Sequence, residues 1–91
     1  MISYIAAFRS RSQTMRLFQA AKSSGIPCSV INTPREVSVG CCGISVCYCS
    51  DYHNQIYNLY RRGEYNALTG FYKMEKDMKG KTFIYPLKTY N

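Results

Sequence analysis

Two adjacent cysteines, Cys41 and Cys42, lie near the middle of the chain with a glycine on each side, Gly40 and Gly43. The thiolate form of cysteine is a nucleophile, and a nearby cation such as Arg35 or the N–H groups of a glycine-containing turn stabilise it. Glycine also leaves room for another molecule to approach and permits unusual backbone angles. The pattern therefore predicts an accessible sulfur that exchanges with other sulfur compounds.

Three further cysteines, Cys28, Cys47 and Cys49, bring the total to an odd number, five. An odd count and a reducing compartment favour free thiols or metal ligands over a disulfide framework. Cys28 alternates with apolar neighbours, and we expect it to be a small buried hydrophobe. Cys47 and Cys49 share one face of a strand, and which face is covered stays open. A zinc or copper thiol module is therefore one alternative, although the spacing does not match paired C-x2-C zinc ligands.

The composition limits the classes of function. With five acidic residues and one histidine, His53, a two-carboxylate hydrolase or a histidine-rich metal site is not expected. The net charge of +7 indicates an anionic partner. A small basic RNA-binding domain is the second alternative, but the segment 70–74 matches the RNA-recognition signature only in part, so we do not expect nucleic acid as the partner. We place His53 on the surface, after a helix cap at Asp51.

The location and the cofactors are predicted from what the chain does not contain. The apolar stretch 1–8 ends at Arg9 and lacks the features of a secretory signal, and no segment reaches the length of a membrane span. We therefore expect a cytosolic protein without a membrane partner. We also expect no cofactor and no metal at the loop cysteines, because thiol exchange requires neither.

Hydrophobic periodicity predicts two helices and four or five strands. Ser10 and Gln13 form a capping-box pattern, and the helix that follows ends near Gly25. A second helix begins after Asp51 and ends at Gly63. The predicted helices and strands, in chain order, are a strand at 2–8, a helix at about 11–24, strands at about 26–32 and 44–49, a helix at about 52–62, and weaker strands at 67–74 and 82–87.

This order predicts an α+β fold. With right-handed crossovers it gives a ferredoxin-like split βαβ two-layer sandwich, β-α-β-β-α-β, with an additional C-terminal edge strand allowed by the pattern. A β-α-β-α-β-β sandwich whose last two strands form a hairpin is the main alternative. We expect one domain over residues 1–91, with a core at about 2–75 and a C-terminal extension at 76–91.

Several segments resemble a family of small bacterial proteins of unknown function, the selenium/sulfur carrier-like proteins. The likeness covers about residues 2–75 and is carried by Tyr4-Ile5-Ala6-Ala7-Phe8-Arg9-Ser10, by Gly25-Ile26-Pro27-Cys28, by Asn32-Thr33-Pro34-Arg35-Glu36-Val37-Ser38 and by Gly40-Cys41-Cys42-Gly43. The family pattern has a single cysteine before the glycine, whereas this chain has two. Either Cys41 or Cys42 is therefore the counterpart, and the second one could resolve an adduct on the first.

The resemblance implies a carrier, rather than a self-sufficient enzyme, that accepts sulfur or selenium on Cys41 or Cys42. The implied donor is a cysteine desulfurase-type persulfide, a selenium-metabolism protein, or a low-molecular-weight persulfide or selenide. A homodimer is compatible with this function but is not required by it. The residues expected to bind substrate or partner around the two cysteines are Arg9, Ser10, Pro34, Arg35, Ser38, Gly40 and Gly43.

Overall fold

A computed structural model describes residues 2–37 and 40–87, so the predicted site residue Ser38 lies outside the described residues. Within them the chain forms five strands, two α-helices and two short 3-10 helices, at Arg35–Val37 and Ser50–Tyr52. The strands and α-helices are β1 (Ile2–Phe8), α1 (Arg11–Ser23), β2 (Cys28–Asn32), β3 (Ile44–Cys49), α2 (His53–Arg62), β4 (Leu68–Lys76) and β5 (Thr82–Pro86).

The strands form one antiparallel sheet in the order β2-β3-β1-β4-β5. The predicted α+β class is confirmed. The strand count differs from the predicted core of four, because β5 pairs with β4 along its whole length and makes the sheet five-stranded. The two edges of the sheet are β2, which follows Pro27, and β5, which contains Pro86. Edge positions are expected for these strands, because proline has no backbone N–H to donate to a neighbouring strand.

Helix α1 begins as its sequence predicts, with Ser10 as the N-cap. The Ser10 hydroxyl accepts a hydrogen bond from the Gln13 N–H at 3.2 Å. The second half of the predicted capping box is wrong, because the Gln13 side chain bonds to the segment before β4 instead. Its Oε1 accepts from the N–H groups of Asn66 at 3.2 Å and Ala67 at 3.0 Å, and its Nε2 donates to the Asn66 side chain at 2.6 Å. This clamp fixes the start of α1 against the start of β4.

Both helices cover the same face of the sheet, because they contact each other and share one apolar cluster. The cluster contains alternate residues of the strands and the inward residues of the helices, namely Ala6, Phe8, Leu17, Ala21, Ile26, Val46, Tyr48, Ile56 and Phe71. The intervening strand residues face the other side of the sheet, which neither α-helix covers and which we call the open face. It carries Ile5, Cys47 and Tyr72, which are paired in register.

The start of α2 differs from its prediction. Asp51 lies inside the 3-10 helix and does not cap α2, which begins at His53 without a side-chain cap. His53 is half-buried rather than on the surface, and its Nδ1 is 2.8 Å from the hydroxyl of the buried Tyr48. Burial raises the pKa of Tyr48, so the phenol stays protonated. Which of the two groups donates follows from the tautomer of the imidazole.

The environment of His53 predicts a pH dependence of stability. Burial lowers the pKa of His53 below its ordinary value, so the unfolded chain binds a proton more readily than the folded chain. The contribution of the neutral His53 to the free energy of unfolding is fully present above about pH 6.5 and is lost as the pH falls below that value. Urea denaturation of the wild-type chain between pH 7.5 and 5 should show a falling unfolding free energy. The variant His53→Phe should show a shallower fall, and equal slopes for the two chains would contradict this assignment.

Among the residues described, no helix combines the length and the apolar character that crossing a membrane requires.

Candidate functional site

The loop between β2 and β3 carries the two predicted cysteines, and its two ends are held together. The Thr33 N–H donates to the Gly43 carbonyl at 2.9 Å, and the Thr33 and Ser45 hydroxyls are 2.7 Å apart. In the residues that follow Thr33, the Val37 N–H donates to the Pro34 carbonyl at 3.0 Å and closes the 3-10 turn. Pro34 thus supplies the acceptor that closes this turn, and the exposed Arg35 begins it.

The two glycines beside the cysteines adopt backbone conformations that other residues rarely take. Gly40 has φ +78° and Gly43 has φ +96°, and open space surrounds the position of a Cβ at each. Glycine is thus required at these positions by backbone conformation and not by crowding. The backbone on both sides of the cysteine pair thus adopts conformations that favour glycine.

This geometry predicts the cost of changing Gly43. Replacing Gly43 with alanine should destabilise the fold by about 1–2 kcal/mol, because an L-residue at positive φ places its Cβ close to the neighbouring carbonyl. Asparagine tolerates positive φ better, so Gly43→Asn should lose less stability than Gly43→Ala. Urea denaturation monitored by circular dichroism measures both variants. A Gly43→Ala chain as stable as the wild type would contradict the prediction.

Cys42 faces the helical layer. Its N–H donates to the Phe8 carbonyl at 2.9 Å, which continues the pairing of the loop with the end of β1. Its Sγ is 3.5 Å from the hydroxyl of the fully buried Thr14 and 3.5 Å from the Ile44 carbonyl. Because the Thr14 hydroxyl donates to the Ser10 carbonyl, Cys42 is held against the N-terminal turns of α1.

Cys41 faces the opposite side, towards the open face. Its Sγ donates to the Val37 carbonyl at 2.8 Å and is 3.5 Å from the Thr69 hydroxyl. The pKa of Tyr72 is raised, first by desolvation and then by the negative charge of an ionised Cys41, which places that phenol in the electrostatic surroundings of the sulfur. The contacts of the two sulfurs therefore lie with different parts of the molecule, Thr14 of α1 for Cys42 and Thr69 of β4 for Cys41.

Tyr72 extends along β4 towards the cysteine loop. A Cβ added to Gly70 would lie 3.1 Å from the Tyr72 hydroxyl oxygen, so the ring covers the backbone of Gly70. Residues two apart on a strand share a face, and a glycine at that distance leaves the space that a flat ring needs. This spacing is the signal in the sequence that could have identified Tyr72 as a site residue.

The remaining predicted site residues hold the surrounding segments together. The Arg9 guanidinium donates to the Asn66 carbonyl at 3.3 Å, and the Arg9 N–H donates to the Ala67 carbonyl at 2.7 Å. Ser10 caps α1, as described above. The structure thus joins Arg9 and Ser10 to the site through the Gln13 clamp and the start of α1. Prediction from the sequence missed Thr14 and Thr69, each 28 residues away from the cysteine that it contacts.

The other three cysteines lie outside this loop. Cys28 packs partly against the core on the helical side, and Cys47 and Cys49 lie on the open face, opposite Ile5 and Ser3. Burial raises the pKa values of the Cys28 and Cys47 thiols, which disfavours their thiolate forms, and Cys49 is exposed. In the part of the chain that the structure describes, no three or more histidine, cysteine, aspartate or glutamate side chains form a group that could hold a metal ion.

The fold and the site define a class: a small α+β protein with two loop cysteines whose thiols have different contacts. Residues 3–81 match the family described as "Putative Se/S carrier protein-like", and because this match spans most of the chain, the protein belongs to that family. The predicted resemblance is confirmed, and the match extends through the turn between β4 and β5. Searches of curated proteins and of solved structures found no match.

Proposed function

We propose that this protein carries sulfur or selenium, accepting the atom on Cys41 and passing it to a partner. The observation that supports Cys41 over Cys42 is the direction of the two side chains. Cys41 contacts Val37 and Thr69 on the open face, whereas Cys42 is held against the buried Thr14. Membership of the Se/S carrier-like family supports the same function.

The surroundings of Cys41 can serve both of its protonation states. The S–H group donates to the Val37 carbonyl, which suits the neutral thiol. A thiolate would turn away from that carbonyl, and the Thr69 hydroxyl could then donate to it. Hydrogen bonds to a charged acceptor are stronger than neutral ones, so they favour the anion that reacts.

Cys42 has a supporting role in this proposal. Its backbone hydrogen bond to Phe8 anchors the loop on β1, and its sulfur fills the space beside Thr14. Since the two sulfurs lie on opposite sides of the backbone, Cys42 could resolve an adduct on Cys41 only after the loop had rearranged. We therefore assign acceptance of the chalcogen to Cys41 alone.

The partners follow from the chemistry and the charge. The donor is a cysteine desulfurase-type persulfide, a selenium-metabolism protein or a small persulfide or selenide, and the carrier acts in the cytosol, where thiols stay reduced. The net charge of +7 would speed association with an acidic partner, and Arg9 and Arg35 add positive charge near the loop. No cofactor is needed for the exchange.

We also infer that the architecture is the ferredoxin-like split βαβ type. In its support, β3 lies between β1 and β2, β4 lies on the other side of β1, and both helices contact each other on one face. Strand β5 extends this arrangement at one edge. The loop of the candidate site is the β2–β3 connection, at one end of the sheet.

The acceptor assignment predicts different results for the two cysteines. After incubation with inorganic tetrasulfide at neutral pH, peptide mass spectrometry should find a persulfide on Cys41. Cys41→Ser should remove this adduct, since the nucleophile is absent. Cys42→Ser should retain it on Cys41, because Cys42 is not the acceptor.

The exposed Cys49 provides the matched control. Cys49→Ser removes an accessible thiol outside the loop and should leave the Cys41 adduct unchanged. Circular dichroism establishes that each variant is folded. An adduct that survives in the loop of folded Cys41→Ser, or one that forms on Cys42 in the wild-type chain, would assign acceptance to the other sulfur.

A further inference from the structure

A cavity of about 310 Å³ lies on the open face, between the 3-10 helix Arg35–Val37 and strands β4 and β5. Its volume is at the small end of the range of pockets that hold small organic molecules. The described residues that line it are Glu36, Val37, Thr69, Tyr72, Ile84 and Pro86. The last two belong to β5, so the strand that the sequence indicated only weakly completes the wall.

The cavity and Cys41 share neighbours, although Cys41 is not among the described residues that line the cavity. Two lining residues are the hydrogen-bond partners of that sulfur, Val37 at 2.8 Å and Thr69 at 3.5 Å. The charge of an ionised Cys41 contributes, after desolvation, to the raised pKa of a third lining residue, Tyr72. A molecule in the cavity would therefore contact the same residues as the candidate acceptor atom.

The charge of the lining is opposite to that of the whole protein. The chain has a net charge of +7, yet the described lining residues include one carboxylate, Glu36, and no lysine, arginine or histidine. The rest of the wall offers two hydroxyls, on Thr69 and Tyr72, and apolar surface on Val37 and Ile84. This wall suits a small ligand that carries an ammonium group together with hydrogen-bond acceptors and a short aliphatic chain.

We propose that this cavity binds the organic part of the chalcogen donor, and that the donor is an α-amino acid persulfide or its selenium analogue, such as cysteine persulfide. The inference rests on the proposed function of Cys41. Glu36 pairs with the ammonium group, the Tyr72 hydroxyl donates to the carboxylate, and the methylene group packs against Val37 and Ile84. The Thr69 hydroxyl stays with the Cys41 thiolate.

The transfer step balances without a further reactant. The Cys41 thiolate attacks the outer sulfur of R–S–S–H, a new S–S bond forms on Cys41, and the S–S bond of the donor breaks. The leaving thiolate R–S⁻ keeps the electron pair of that bond and takes a proton from solvent. The hydrogen on the outer sulfur stays with it, so Cys41 becomes a persulfide and the donor becomes a thiol.

The experiment compares two donors that differ in charge. The rate of Cys41 persulfidation is measured with cysteine persulfide and with hydroxyethyl persulfide, which lacks both charged groups. Glu36→Gln should slow the reaction with cysteine persulfide by about two- to fivefold, the scale of a solvent-exposed ion pair, and should leave the rate with hydroxyethyl persulfide unchanged. The matched control is Glu75→Gln, which alters a β4 carboxylate in register with Ile2 and Phe83, on the helical side of the sheet.

A second variant tests the cavity itself. Ile84→Phe adds volume to the wall and leaves less room in the cavity. It should slow the persulfidation of Cys41 by both organic persulfides, while the reaction of Cys41 with inorganic tetrasulfide stays at its wild-type rate. If Glu36→Gln changes both organic donors equally, or if Ile84→Phe changes neither, the cavity is not the donor site. Failure of inorganic tetrasulfide to label Cys41 in the wild-type chain would instead overturn the proposed function, so the two failures are distinguishable.

Discussion

The hydrogen bond between the Cys42 N–H and the Phe8 carbonyl, at 2.9 Å, is the contact on which the candidate site depends. Strand β1 is the central strand, paired on both sides, and its side chains from Ile5 to Phe8 are fully buried, so its end is a rigid reference point. One residue later, the Arg9 N–H bonds to the Ala67 carbonyl at the start of β4. The loop, the start of α1 and the start of β4 therefore meet where β1 ends.

This anchoring gives the two neighbouring sulfurs different chemical surroundings. With the backbone of Cys42 fixed to β1, its side chain is directed to Thr14, and the side chain of Cys41 must point to the open face. Gly40 and Gly43 permit this geometry through their positive φ angles. The two cysteines, both half-buried, thus direct one thiol to Thr14 on the helical side and the other to Val37 and Thr69 on the open face.

The sequence predicted most of the secondary structure, because hydrophobic periodicity and the cap at Ser10 are local signals. It also placed both cysteines in a loop and indicated unusual backbone angles at the glycines beside them. It failed at one local turn and where distant segments meet. Asp51 has the features of a cap, yet a 3-10 turn precedes α2 and leaves this residue outside the cap position. The contact of Thr69 with Cys41, and the influence of the Cys41 charge on Tyr72, depend on strand pairing and on how β4 meets the loop, which one sequence does not reveal.

Pro86 has a consequence for self-association. Leu87 and Phe71 form a hydrogen-bonded pair, because the Leu87 N–H donates to the Phe71 carbonyl at 2.8 Å. Hydrogen-bonded and non-bonded pairs alternate in antiparallel ladders, so the nitrogen of Pro86, paired with Tyr72, points away from the sheet. An incoming strand finds no donor at that position, and the outer margin of β5 resists the edge-to-edge growth that leads small β-rich proteins to aggregate.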